Sequence, residues 1–293
     1  MNKESWIYLD TGPSDAYTNM AMDEVLLKKM ISPDALPILR VYTWSHPSIS
    51  VGYFQNVTHD FDLTLCKDRG WPLVRRLTGG RAVFHDHELT YSILFPKSCP
   101  ALPDGLFESY RYLSHGFLLA LRKLGVEPEL VTLQDAKKDR PRSASKSPDC
   151  FASPSWYEIA VRGRKMMGSA QRRTPYGILQ QGSILISTRR FREFYELFLH
   201  TSAYKHRGAM QPGDLCMTSL TETLGTELPI SQVKKAILQG FKEAHGIHFV
   251  EKNVTPEVQH EASELVEARY GRNSWNLYRK SAFFREKLEE NHS

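Results

Sequence analysis

The chain has 293 residues, of which 41% are hydrophobic and 24% are charged, and its formal net charge is +5. These values are ordinary for a globular protein with a sizeable core, and no apolar run is long enough to cross a bilayer. The N-terminal residues lack an apolar signal stretch, and the four cysteines are widely spaced, without a Cys-x-x-Cys pair. We therefore expect a cytoplasmic protein with free thiols and no membrane partner. Its slightly basic surface would suit an acidic protein partner or nucleic acid, and is at least as typical of a surface without a partner.

The first part of the chain predicts several short strands with a helix on either side of them. The patterns predict a strand over 6–10, a helix through 19–27 capped by Ser14 or Asp15, and strands over 38–44, 48–52, 73–77 and 88–95. A helix is predicted over 106–124, because apolar residues recur there at helical spacing.

The second part continues the same mixture of strands and helices. We predict a short strand over 131–133, a mobile polar loop over 134–148, a hairpin over 157–168, a strand over 178–186, and helices over 191–200, 230–245 and 256–270. Because the strands come in neighbouring groups, the pattern favours an α+β fold with a mixed or antiparallel sheet over a doubly wound parallel fold.

A paired glycine gives the first candidate ligand-binding motif, Arg75-Arg-Leu-Thr-Gly-Gly-Arg-Ala-Val-Phe-His85. Two glycines after a strand let the backbone turn tightly and approach a ligand, and their amides can bind a carbonyl oxygen or an anion. A Gly-Gly between strands is more often only a turn, so the signal is moderate.

His85 and His87 flank Asp86, but no zinc-type spacing accompanies them, and we expect hydrogen-bonding histidines and no metal.

The second candidate motif is Lys165-Met-Met-Gly-Ser-Ala-Gln171. Its small residues suit a ligand that lies against the backbone. A surface lysine is normally solvated, but the apolar neighbours of Lys165 favour a partly buried ammonium, which can polarise a carbonyl or stabilise a thiolate.

Cys150 is the third candidate, within a run of turn-forming residues over 147–155. A thiol on a loop, with a cation nearby, is an arrangement that makes a reactive thiolate. Cysteine is also often a small buried hydrophobe, an interpretation that suits Cys66, Cys99 and Cys216. The spacing alone leaves catalysis at Cys150 open.

Taken together, these motifs resemble the biotin/lipoate protein ligase and octanoyltransferase superfamily. The segments 19–24, 42–44 and 50–55 are also similar to it, and the resemblance runs from about residue 6 to at least 190. It implies an α+β catalytic domain with a mixed sheet, related to class II tRNA synthetases and to the biotin ligase core. Members bind an acyl chain in a tunnel and attach it to a lysine of a small carrier domain.

Within the superfamily, Cys150–Ile159 and Lys165–Arg173 resemble the cysteine-dependent octanoyltransferases. This implies octanoyl-acyl carrier protein as donor, a lipoyl domain such as the glycine cleavage H protein as acceptor, and no cofactor, in a step of lipoate biosynthesis and protein lipoylation. Cys150 and Lys165 would be catalytic, through a Cys150 thioester. The residues expected to bind substrate are Arg75, Arg76, Gly79, Gly80, Ala82, His85, Gly168, Ser169, Ala170 and Gln171.

The same residues leave three alternatives open. ATP-dependent lipoate–protein ligases share a comparable lysine, but many carry a C-terminal accessory domain. We expect instead one catalytic domain over 1–293, with its core at about 33–250 and a helical C-terminal extension. An amidotransferase that takes octanoyl from the H protein is the second alternative. A nucleic-acid-binding regulator is the third, and no helix-turn-helix pattern or basic-aromatic stripe supports it.

The basic run 137–146 would suit an acidic carrier, although such runs are usually solvated.

Overall fold

Two β-sheets and the helices around them form the fold in the computed structural model, which describes residues 5–97, 99–100, 102–131, 158–198 and 217–280. The strands in these residues are β1 (Ser5–Ser14), β2 (Ile38–Trp44), β3 (Ser48–Val51), β4 (Leu73–Arg75), β5 (Val83–His85), β6 (Glu88–Pro96), β7 (Glu129–Leu130), β8 (Ile159–Val161), β9 (Arg164–Arg173), β10 (Gly177–Leu185) and β11 (His248–Glu251).

The larger sheet has eight strands in the order β11–β1–β2–β6–β10–β9–β8–β7. Strand β1 pairs in parallel with β11 and β2, and the other neighbours in this sheet are antiparallel. The smaller sheet has the order β4–β3–β5, with β3 parallel to β4 and antiparallel to β5. This confirms the predicted α+β class with a mixed sheet.

Helices cover both faces of the larger sheet. Their bounds are α1 (Ala16–Lys29), α2 (Val57–Asp60), α3 (Leu63–Asp68), α4 (Leu106–Lys123), α5 (Phe191–Tyr195), α6 (Leu220–Leu224), α7 (Ile230–His245), α8 (Pro256–Leu265), which continues as a π-helical turn (Val266–Tyr270), and α9 (Asn273–Asn276). None of the helices in the described residues combines the length and the apolar character that crossing a bilayer requires.

The alternation of side chains along β2 shows how the sheet divides the core. Leu39 and Val41 pack in the apolar cluster beneath α4 and α7, whereas Ile38 and Tyr42 belong to the cluster beneath α1 and α8. Side chains two residues apart on a strand share a face, so one strand serves both clusters. A third cluster, rich in phenylalanine, lies between the smaller sheet and the short helices α2, α3 and α5.

Most of the predicted elements are confirmed. The side chain of Asp15, one of the two predicted caps, accepts hydrogen bonds from the amides of Tyr17 and Thr18 at 2.9 and 3.0 Å and so begins α1. The predicted strand over 38–44 and the predicted helix over 230–245 have the observed bounds. The hairpin turns at Arg162 and Gly163, whose φ angles are 51° and 70°.

Other boundaries were wrong. A short strand lies at Glu129–Leu130, just before the strand predicted over 131–133, of which residues 132 and 133 lie outside the described residues. The helix predicted over 191–200 ends at Tyr195. The helix predicted over 256–270 is α-helical only to Leu265. Short elements such as α2, α3, β5 and β11 were not predicted. The loop predicted over 134–148 lies outside the described residues.

Candidate active site

A cavity of about 110 Å³ lies where α1, the smaller sheet and the centre of the larger sheet meet. Strands β9 and β10 form one wall and the segment after β4 forms another. Predicted substrate-binding residues that line the cavity are Arg76, Gly80, His85, Gly168, Ser169 and Ala170. The structure therefore brings the two sequence motifs together at a single cavity, as the resemblance implied.

The glycines of the first motif allow two segments of backbone to touch. Gly80 has a φ angle of +87°, and a Cβ atom built on Gly52 would lie 1.8 Å from the carbonyl oxygen of Gly80. No side chain fits at Gly52 unless the two segments separate. Arg76 then fixes the turn, because its guanidinium donates to the carbonyl oxygens of Gly79 and Arg81 at 2.8 and 2.7 Å.

Arg75, in contrast, is not among the residues that line the cavity. Its buried guanidinium donates to the carbonyl oxygens of Gly52, Tyr53 and Gln55 at 2.9–3.0 Å, and to those of two C-terminal residues, Trp275 and Leu277. Burial, and to a lesser degree the charge of Arg279, lower the pKa of Arg75 to about 10. The structure gives Arg75 the role of a clamp between two chain segments, in place of the predicted contact with substrate.

Three further predicted residues lie beside the cavity and do not line it. The carbonyl of Gly79 accepts a hydrogen bond from Arg76, and Ala82 is buried in the phenylalanine-rich cluster. The side-chain amide of Gln171 donates to Gln180 at 3.0 Å and to Ser109 at 3.2 Å. Packing and hydrogen bonding within the protein account for the positions of these three residues.

Lys165 is 1% exposed, and its ammonium donates a hydrogen bond to the carboxylate of Glu158, which lines the cavity. The two buried and opposite charges are thus in direct contact. The sequence predicted a partly buried lysine, and the structure buries it fully against a partner that was not predicted. Cys150 lies outside the described residues.

A buried polar network supports the floor of the cavity. The carboxylate of Asp23 accepts hydrogen bonds from Arg40 at 2.6 Å, from Ser92 at 2.5 Å and from Gln181 at 2.6 Å. It also accepts one from the hydroxyl of Tyr42 at 3.1 Å. Gln181 and Tyr42 line the cavity, so a charge on α1 fixes the positions of side chains from three strands.

His85 is held on three sides. Its ring stacks on Trp44 with a centroid distance of 3.9 Å, its Nδ1 lies 3.0 Å from Oε1 of Glu88, and its Nε2 lies 2.7 Å from Oγ of Ser50. His85 is thus hydrogen-bonded at both ring nitrogens, as the sequence predicted. In the described residues, no group of three or more His, Cys, Asp or Glu side chains is arranged to hold a metal ion.

Other residues of the cavity wall were not predicted from the sequence. They include Tyr42, Trp44, Ser50, Thr90, Glu158 and Gln181. One signal was available: Thr90 and Ser92 on β6, and Gln181 and Ser183 on β10, are polar at every second position of otherwise apolar strands. Such alternation in the centre of a sheet marks a face that meets something other than an apolar core.

Comparisons with known proteins identify the family and the fold of the chain. Residues 15–242 match the family described as lipoyl protein ligase A/B catalytic domain. Octanoyltransferase LipM of Staphylococcus aureus is 36% identical over 94% of this chain and 99% of its own length, and that of Moorella thermoacetica is 38% identical over 94% and 98%. Among solved structures, a lipoate-protein ligase A bound with ATP superposes with a TM-score of 0.74 at 23% identity, over 94% of this chain and 99% of that one. The chain belongs to the lipoyl protein ligase A/B catalytic domain family.

Proposed function

We propose that this protein transfers an octanoyl group from octanoyl-acyl carrier protein to a lysine of a lipoyl domain, such as the glycine cleavage H protein, through a thioester on Cys150. The observation that carries the proposal is the similarity along almost the whole chain to relatives named octanoyltransferase LipM. That similarity covers 94–95% of this chain and 98–100% of those from Staphylococcus aureus, Moorella thermoacetica and Bacillus subtilis.

The cavity supports the binding of an acyl chain. Met20, Tyr42 and Trp44 supply apolar wall, while Gly168 and Gly182 expose backbone without a bulky side chain. An apolar cavity with a few placed polar groups is typical of a site for a small, mostly apolar ligand.

The proposed chemistry has two steps. The Cys150 thiolate attacks the donor thioester, the C–S bond to the acyl carrier protein breaks and the carrier leaves as a thiolate, so that an octanoyl-enzyme thioester of similar energy forms and ATP is not needed. A lysine amine of the acceptor then attacks that thioester and leaves a stable amide. The buried ammonium of Lys165, paired with Glu158, would stabilise the thiolate and the oxyanion that develops on the carbonyl oxygen.

Intact-mass spectrometry after mixing with octanoyl-acyl carrier protein, without ATP, tests the covalent step. We expect one octanoyl adduct, lost on treatment with hydroxylamine and mapped to Cys150. Cys150→Ser should abolish it, whereas the control Cys99→Ala should retain it. Cys66 should stay unmodified, because burial raises the pKa of its thiol to about 11. Full octanoyl transfer by Cys150→Ala would contradict the thioester route.

The role of Lys165 is tested by the rate at which the Cys150 thiol is alkylated at neutral pH. Lys165→Met should slow alkylation, because the thiolate loses a nearby cation. The control Lys234→Met removes a lysine that pairs with Asp10 near the surface and should leave the rate unchanged. Equal rates for the wild type and Lys165→Met would remove the proposed role.

The two enzymatic alternatives give different signals in the same preparation. A ligase releases pyrophosphate only when ATP and free lipoate are both present. An amidotransferase accepts octanoyl from the H protein more readily than from acyl carrier protein. We expect neither signal, and transfer from acyl carrier protein without nucleotide.

A further inference from the structure

A chain of hydrogen bonds leads from the cavity to a buried carboxylate. Ser50 and His85 line the cavity, while Glu88 lies behind them and is 2% exposed. Ser50 Oγ lies 2.7 Å from His85 Nε2, and His85 Nδ1 lies 3.0 Å from Glu88 Oε1. A hydroxyl, an imidazole and a carboxylate in this order form an arrangement that can carry a proton away from a reacting group.

The remaining hydrogen bonds assign the protons in this chain. Arg76 Nη1 donates to Ser50 Oγ at 3.1 Å, so the single proton of that hydroxyl is available for His85 Nε2. The neutral imidazole then carries its own proton on Nδ1, where the carboxylate of Glu88 accepts it. In this tautomer Nε2 is ready to gain a proton, and Glu88 stabilises the imidazolium that results.

The ring of His85 is fixed in place. It stacks on Trp44, whose indole nitrogen donates to Thr90 Oγ1 at 2.7 Å, and Thr90 in turn donates to Glu88 Oε1. Glu88 Oε2 is buried and has no hydrogen-bond partner among the described residues. A buried carboxylate with an unused acceptor is costly unless a positive charge develops beside it, as it does when His85 is protonated.

The other ionisable groups on the cavity wall are already protonated or are paired with a charged partner. Burial and the charge of Asp23 raise the pKa of Tyr42 well above its ordinary value, so it stays a neutral phenol. Glu158 is paired with Lys165, which is already an ammonium. The rest of the described charged groups that line the cavity are the guanidinium groups of Arg76 and Arg81, which are always protonated.

We infer that His85 is the base of the second half-reaction, that Ser50 relays the proton to it, and that Glu88 is the positioning residue. The inference rests on the proposed function. The acceptor amine attacks the thioester carbonyl, the C–N bond forms and the C–S bond breaks, and Cys150 leaves as a thiolate. The proton shed by the nitrogen goes to Ser50 Oγ while the Ser50 proton passes to His85 Nε2, and solvent later takes it from the imidazolium.

The test separates the two half-reactions. Wild-type enzyme and the variants His85→Gln, Ser50→Ala and Glu88→Gln are first acylated by octanoyl-acyl carrier protein, and the adduct is followed by mass spectrometry. A lipoyl domain is then added for a single turnover. We expect the transfer rate of His85→Gln to fall about 100-fold or more, since general-base catalysis contributes about 10²–10⁴-fold, and its acylation rate to fall much less, because a thiolate attack needs no base.

His87→Gln is the matched control, because it makes the same change two residues away on a side chain that is one-third exposed and contacts Arg189. The pH dependence is the second readout. The pH dependence of transfer should differ between the wild type and His85→Gln, because the wild type retains the imidazole as a base whereas the variant relies on solvent.

Three outcomes overturn the inference. The first is transfer by folded Ser50→Ala and His85→Gln at the wild-type rate. The second is an equal loss in both half-reactions without any change in the pH profile, which indicates a structural role alone. The third is the absence of a wild-type adduct, which removes the proposed thioester route as well and is thereby distinguished from the other two. Ser50→Ala deletes one hydroxyl, so it keeps the test decisive if His85→Gln does not fold.

Discussion

Asp23→Asn measures how much the network beneath the cavity stabilises the fold. Asp23 and Arg40 are each 1% exposed, and the carboxylate accepts hydrogen bonds from four side chains. Asparagine keeps the size but loses the charge and turns one acceptor oxygen into a donor. The guanidinium of Arg40 then remains as a buried charge without a counter-ion. Breaking a buried pair in this way costs about 3–5 kcal/mol. This is a large share of the free energy of unfolding of a typical domain, which is about 5–15 kcal/mol.

Urea unfolding followed by tryptophan fluorescence gives the difference in the free energy of unfolding. The control is Asp10→Asn, which breaks the more exposed pair of Asp10 with Lys234 and should cost about 1 kcal/mol or less. Adding Arg40→Met to Asp23→Asn removes the stranded charge and should restore part of the loss. A loss for Asp23→Asn no greater than that of the control, or no recovery in the double variant, would refute the reasoning.

Three further predictions concern the turn at Gly52, the clamp formed by Arg75 and the pH dependence of stability. Gly52→Ala should lower octanoyl transfer about 100-fold at unchanged expression, because its Cβ forces the Gly80 carbonyl away and misplaces the cavity wall by more than 1 Å; wild-type kinetics would contradict this. Arg75→Met should make the chain more sensitive to proteolysis near Asn276, whose side-chain oxygen accepts a hydrogen bond from the backbone N–H of Arg75 at 3.0 Å. An unchanged digestion pattern would argue against the clamp. Burial lowers the pKa of His245 to about 4, so between pH 6.5 and pH 4 the unfolded state binds the extra proton and stability falls as the pH falls. Because the ring is only half-buried, we expect this residue to lower the free energy of unfolding by about 1 kcal/mol over that pH range. The measurement compares the free energy of unfolding of the wild type and of His245→Phe as a function of pH, and parallel curves would contradict the effect.

The long elements could be predicted because local patterns determine them. The helix over 230–245 has an apolar stripe at helical spacing, and the strand over 38–44 is buried on both faces, so each shows its type in a single window of sequence. Short elements such as α2 and α3 span about one turn, which is too little for a period to appear. Their position depends on the phenylalanine-rich cluster that they cover.

The site was predictable in outline, while the assignment of individual residues was not. Arg75 and Arg76 are adjacent in one motif, and sequence gives no reason to separate them. The structure separates them because the Arg75 guanidinium donates, besides the carbonyls of residues 52–55, to two carbonyls about 200 positions later in the chain. The Arg76 guanidinium donates to the turn over 79–81 and to Ser50 beside the cavity. The partner of Lys165 was not predicted for a different reason, because Glu158 lies immediately before the neighbouring strand β8 and no spacing rule links the two.

The clamp formed by Arg75 has a consequence for the order in which this protein can fold. The turn that carries Gly52 is held by a guanidinium whose other acceptors are the carbonyls of Trp275 and Leu277. A ribosome adds residues from the N-terminus onward, so these acceptors emerge about 200 positions after the arginine that needs them. A nascent chain therefore cannot complete the clamp until residue 277 has been made, and a truncated translation product ending before residue 275 carries both sequence motifs without this clamp.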